Sequence, residues 1–250
     1  MTALPGAVRT ARTSFGEKSL SRHREDRHSR QTAAAHPHAR AIKAHVARHI
    51  GRVSRVFRGL GAESPQLDVL YVAPVKARPL HTLVTSGMSA VPMQAPADTE
   101  APLRLELGIT LPEYWQLDDE ALQDEVWRWP LDLLIHVARF PHRSNSLLAW
   151  GDVVPHGEPP RPLASDTRLC GAIVAPSLLV PPEFYQLEAG AHSIVFYAVI
   201  PLYLEEMELR RRAGMEPLLT RLIEQGTRDL VNPQRRNVAV TQRRFRLFGR

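Results

Sequence analysis

The chain has 250 residues and a hydrophobic content of 44%, which suits one domain of ordinary size with tails, and no apolar run approaches the roughly 18 residues of a membrane span. A single cysteine, Cys170, excludes an intramolecular disulfide framework, no apolar segment of secretory type follows the first charges, and a cytoplasmic setting is expected. The net charge of +6 sits at the ends, since residues 39–227 hold 18 basic against 22 acidic side chains, and a mildly acidic middle argues against a nucleic-acid surface there.

Residues 1–38 are rich in Arg, Ser, Thr, Ala and His and nearly devoid of large apolar residues. They cannot bury enough surface to offset their ordering entropy, and a disordered basic extension is expected. Residues 39–51 place Ile42, Val46, His49 and Ile50 on one face, which predicts a helix closed by Gly51. His45 and His49 are four apart, but a zinc site needs a third protein ligand, so no metal is expected.

Val53–Leu60, Leu67–Pro74 and 79–85 read as strands rich in β-branched residues, and a turn of small residues, Ser86 to Ser89, follows the third. The hydroxyls of Thr85, Ser86 and Ser89 are read as capping that tight loop. Leu103–Leu111 alternates strictly, with leucines and Ile109 on one face and Arg104, Glu106, Gly108 and Thr110 on the other, which predicts a half-buried strand.

The strongest local pattern is WRWPLDLLIHVARFPH, residues 127–142. Leu131, Leu134, Ile135 and Ala138 follow helical spacing, Pro130 is placed in a first turn with Asp132 beside it, and Phe140-Pro141 is expected to stop the helix. Trp150-Gly151-Asp152 and His156-Gly157-Glu158 put polar groups beside an aromatic in a loop, a composition that can read a partner peptide. Arg168–Ala175 and His192–Pro201 read as buried strands, 202–213 and 215–225 as amphipathic helices joined at Gly214, and 232–250 as an arginine-rich tail. Helices interrupting runs of strands, without regular alternation, predict an α+β domain over 39–231: a mainly antiparallel, curved sheet with packed helices.

No phosphate loop, nucleophile elbow or Cys-x-x-Cys pair occurs. A hydrolase would have to use Asp132, His136 or Cys170, none of them in a catalytic motif. A nucleic-acid-associated regulator would have to work through the arginine-rich ends. No cofactor and no catalytic residue is assigned.

The runs HTLVTSGMSAVPM (81–93), WRWPLDLLIHVARFPH (127–142), AWGDVVPHGEP (149–159) and SIVFYAVIPLYLEEME (193–208) resemble the suppressor of fused domain, with the bacterial branch the closer likeness. The resemblance covers about 44–237 in order. It implies an α+β domain without established catalytic activity. Animal relatives hold a transcription factor of the Hedgehog pathway by an extended peptide, and bacterial relatives have been proposed as immunity proteins against polymorphic toxins. Only one such domain fits in this chain, so the expected role is a protein-binding domain of immunity type and not the Hedgehog role. The family's peptide contacts include an aromatic after the long helix and an acidic residue in the next loop, which match Phe140 and Asp152. The expected partner surface is Trp129, Asp132, Phe140, His142, Trp150, Gly151 and Asp152, one side of a groove flanking the long helix.

Overall fold

The structure is a computed structural model that describes residues 36–60, 65–95, 97, 99 and 103–240. Eight strands form one sheet: β1 (Val53–Phe57), β2 (Asp68–Val72), β3 (Leu80–Ser86), β4 (Leu105–Pro112), β5 (Val153–Pro155), β6 (Gly171–Ala175), β7 (Gln186–Ala189) and β8 (His192–Leu202). Their order is β1-β2-β3-β4-β8-β6-β5, with β7 also pairing β8. Every pairing is antiparallel except β4 with β8. Among the described residues four helices accompany the sheet: α1 (Ala39–His49), α2 (Glu125–Ser144), α3 (Leu204–Ala213) and α4 (Met215–Glu224). The α+β architecture is the expected one; β7 and the short turn of helix at Pro182–Phe184 are additions to it.

α2 differs at both ends from its sequence reading. It starts earlier, capped by Asp124, whose carboxylate accepts the Val126 amide at 3.0 Å, so Pro130 lies in the second turn and Asp132 in the interior. It also runs through Pro141 to Ser144. Proline removes one interior hydrogen bond, but Pro141 is itself buried, and Asn145 in the left-handed region closes the helix by donating its amide to the Pro141 carbonyl. The buried side of α2 carries Trp129, Leu133, Leu134 and Val137, which join Leu105, Leu107, Ile109 and Leu111 of β4 in the main core. Each such side chain contributes roughly 1.5–3 kcal/mol through burial.

The opposite side of the sheet is covered too. Ile42 and Val46 of α1 pack with Val84, Phe184, Ile194 and Phe196 in a second cluster. β4 is therefore a central strand buried on both faces, not a half-buried one. Glu106, assigned by alternation to a solvent face, is 0% exposed. The β3–β4 ladder ends at Val84 opposite Gly108, and there Thr85 Oγ1 takes over, accepting the Leu107 amide at 2.7 Å. The Glu106 carboxylate fills the gap. It accepts from Thr85 Oγ1 at 2.6 Å, the Gly87 amide at 2.9 Å, the Ser89 amide at 3.0 Å and Ser89 Oγ at 2.7 Å. The expected hydroxyl-capped loop thus has a buried carboxylate at its centre.

Both presumed tails begin further out than their composition suggests. His36 bonds Ser86 Oγ at 2.8 Å and His38 is buried, so residues 36–38 belong to the domain. At the other end Arg235 is an internal residue. Its side chain is 7% exposed and pairs with Glu206, itself 0% exposed, and the same carboxylate accepts the Val238 amide at 2.9 Å. Residues 232–240 are thereby tied to the start of α3, where Glu206 also caps the helix through the Tyr203 amide at 3.0 Å. The expected disorder of 1–35 and the arginines beyond 240 lie outside the described residues.

Truncating the buried carboxylate strands four donors. Glu106→Ala is expected to cost about 3 kcal/mol or more in denaturant unfolding, with Glu106→Gln milder; a loss below about 1 kcal/mol would show that the loop finds other acceptors.

Burial lowers the pKa of His45, His136 and His142 below the ordinary histidine value. The unfolded chain therefore takes up these protons first as pH falls, so the stability due to the neutral rings is complete above about 6.5 and declines below it. The urea midpoint is expected to be lower at pH 5.5 than at pH 7.5, and an unchanged or higher midpoint at pH 5.5 would contradict this.

Candidate partner-binding surface

The sequence placed seven residues on one groove, and the structure separates them. Trp129 is 2% exposed, with its ring edge-on to Trp115 at 5.7 Å; it faces the core and is not a surface residue. Asp132 is exposed on α2 and paired with Arg128 at 2.9 Å, a surface ion pair one turn apart. Phe140 is half-buried against the main core. His142 reaches the Met88 carbonyl at 3.3 Å, which fastens the end of α2 to the Glu106 loop.

Trp150, Gly151 and Asp152 do lie together, on the loop entering β5. Asp152 closes this loop upon itself: its carboxylate accepts the Ala149 amide at 2.8 Å and its own amide donates to the Ala149 carbonyl at 3.0 Å. Gly151 is buried at φ 84°, its amide bonds Val174 at 2.9 Å, and its carbonyl accepts Arg210 Nε at 2.9 Å. A Cβ at this position would lie 2.1 Å from Met215 Sδ. These contacts set the loop against β6, α3 and α4 and leave Trp150 52% exposed.

Trp150 lines an apolar groove of about 180 Å³ with Ala175, Leu178, Ile200, Leu219 and Ile223. Leu178 and Ile223 are each 65% exposed. Asp229 fixes the lip, accepting the Leu178 amide at 3.1 Å and the Ser177 hydroxyl. None of Trp129, Asp132, Phe140 or His142 lines this groove; α4, and not α2, forms its second wall. The sequence carried a signal for that wall. α4 has two adjoining apolar rows, Leu218/Leu222 and Leu219/Ile223, and only the first is buried.

The hydrolase candidates are bound up in structure. Burial first, then the nearby Glu205 and Glu206 carboxylates, push the Cys170 thiol up to about 11, so it holds almost no thiolate at neutral pH. His136 Nε2 is engaged with the Pro155 carbonyl at 2.9 Å. His45 is committed as well, stacked on Phe184 at 5.1 Å with Nε2 on that residue's carbonyl at 3.1 Å. Among the described residues no group of three His, Cys, Asp or Glu could hold a metal ion, and no helix is long and apolar enough to cross a membrane.

The family model described as suppressor of fused protein matches residues 63–236. The chain belongs to the suppressor of fused family. Among solved structures it is similar to a suppressor of fused homologue from Neisseria gonorrhoeae, at 16% identity and a TM-score of 0.60, over 82% of this chain and 98% of that one. It is similar as well to a chain of the Sufu–Fu complex, at 16% identity and a TM-score of 0.56, over 82% and 93%. The Drosophila Suppressor of Fused gives the same identity and TM-score, with 52% of that chain covered, so this chain spans about half its length. At this identity the likeness establishes a shared suppressor of fused fold. No curated protein matches the sequence.

Gly151→Ala tests the loop geometry. Strain at positive φ and the clash with Met215 are expected to cost about 1–3 kcal/mol in thermal or denaturant unfolding, while Gly190→Ala, where a Cβ meets nothing within 4 Å, costs less. Equal losses would mean that the Gly151 loop is not packed on α4.

Proposed function

We propose that this chain is a non-catalytic protein-binding domain whose partner docks on the groove between Trp150 and α4. The observation that carries the reading is the convergence of Trp150, Leu178 and Ile223, large apolar side chains from three separate elements, on one depression with a hydrogen-bonded lip. A contiguous exposed apolar patch of this kind is a feature of interaction sites, and a tryptophan in a pocket is a frequent energetic anchor. Trp150 is the contact residue of the expected set; Gly151 and Asp152 hold it in place. Phe140, His142 and Asp132 lie along α2 and serve at most a separate part of the contact surface. That a relative has been solved as the Sufu–Fu complex supports a protein partner for this fold. The raised Cys170 thiol and the engaged His136 support a role without catalysis.

The partner class we favour is a toxin domain that the chain neutralises, as an immunity protein of a polymorphic toxin system acting in a bacterial cytoplasm. The acidic excess of residues 39–227 supports local charge complementarity with a basic toxin, not steering by net charge, since the whole chain is +6. The groove is lined by Arg228 and by Asp229, whose buried carboxylate is taken up by Ser177 and Leu178, so specificity there comes from apolar shape and not from acid. The nucleic-acid reading loses ground, because Arg235 of the presumed basic tail is consumed by Glu206.

Co-expression with toxins encoded beside the gene tests this reading. Protection and a co-purifying complex are expected for the parent chain. Trp150→Ala and Ile223→Asp should each weaken that complex about tenfold or more with the melting temperature little changed. Absence of protection and complex with every adjacent toxin would overturn the toxin partner, and unchanged binding by both variants would overturn the groove.

A further inference from the structure

A second cavity lies on the same, α1-covered face of the sheet, beside the groove, with which it shares Pro176. It holds about 380 Å³ between the sheet and the segment 176–185, within the usual range of small-molecule sites. Ile50, Val84, Val180, Phe184 and Phe196 form its walls, and among the described residues no charged side chain lines it. Pro181, Pro182 and Tyr185 line it as well and are exposed, which places the mouth at that segment. His45 braces the Phe184 wall from behind by stacking on its ring.

Thr82 breaks the apolar pattern. It lies in the middle of β3, 2% exposed; the residue lines the cavity and its buried hydroxyl has no hydrogen-bond partner. Valine would fill the same volume with no polar atom to desolvate, so the hydroxyl is a burden to the fold alone. Thr110, its register partner on β4, faces the same cavity. Of the other hydroxyl residues there, Ser177 donates to Asp229 and accepts the Leu179 amide at 3.1 Å, and Tyr185 donates to Tyr197 at 3.3 Å. Among the described residues lining the cavity, Thr82 carries the buried hydroxyl with no hydrogen-bond partner, and so the group a ligand would satisfy.

We propose that this cavity is a binding site for a small, neutral, largely apolar molecule bearing one hydrogen-bonding group, which pairs with the Thr82 hydroxyl. The absence of lining charges selects against carboxylates, phosphates and amines, since an unpaired ion would be desolvated on entry. Aromatic walls favour a flat ring system over a flexible chain.

Fluorescence titration of the full chain with N-phenyl-1-naphthylamine, a neutral diarylamine with one N–H donor, tests the site. Saturable one-to-one enhancement is expected. Gly108→Val should cut affinity about tenfold or more by filling the cavity, because a Cβ there has room, its nearest neighbour being the Leu83 carbonyl oxygen at 3.6 Å. Thr82→Val, nearly isosteric, should weaken binding about three- to tenfold while raising the melting temperature of the free protein. No saturable enhancement, or affinity unchanged in both folded variants, would overturn the site. Loss with Gly108→Val but parental affinity and melting temperature in Thr82→Val would overturn the role given to the hydroxyl.

Discussion

The carboxylate of Glu106 is the constraint on which the arrangement of this domain depends. It sits where β3 and β4 part, and without it the Gly87 and Ser89 amides and two hydroxyls would point into a dry interior. By collecting them it converts a break in the ladder into a rigid loop. That loop delivers Met88 into the main core, and its backbone supplies acceptors for neighbours: the Met88 carbonyl for His142 at the end of α2, and the Ser89 carbonyl for Arg104 at 2.6 Å. The seating of α2 on β4 is thus coupled to one buried carboxylate.

A second buried carboxylate does a comparable job at the other end of the chain. Glu206 caps α3, holds Arg235 and draws in the Val238 amide, with the Arg235 guanidinium also lying over the Tyr203 ring at 5.0 Å. Burying a charge is costly, and full hydrogen bonding is the condition under which it persists. In both places the carboxylate fixes irregular backbone that apolar packing, being non-directional, would leave undetermined. The regular elements between these two anchors then present two different openings: an exposed groove at Trp150 and an apolar cavity at Thr82.

Much of this was legible in the sequence and some of it was not, for identifiable reasons. The period of β4 and the apolar stripe of α2 were local signals and gave the right elements. Alternation in β4 could not show that its polar row is buried, because Glu106 is enclosed by the 85–89 loop and Gly108 and Thr110 lie under the segment 176–185, contacts that no local period encodes. Arg235 read as tail because neighbouring arginines are abundant and its partner Glu206 is remote in sequence. Pro141 read as a stop because local sterics disfavour it, whereas its burial and the Asn145 cap are tertiary facts. Of the candidate site, the Trp150–Asp152 loop was visible as composition; its pairing with α4 in place of α2 was not, since no local pattern encodes which helix a loop meets.

Native-state hydrogen exchange reads the central constraint directly. If Glu106 anchors the loop within the cooperative core, the Gly87 and Ser89 amides exchange only through global unfolding, with opening free energies equal to those of the β4 amides. Exchange of those two amides at rates typical of an open surface turn, while β4 stays protected, would contradict the account.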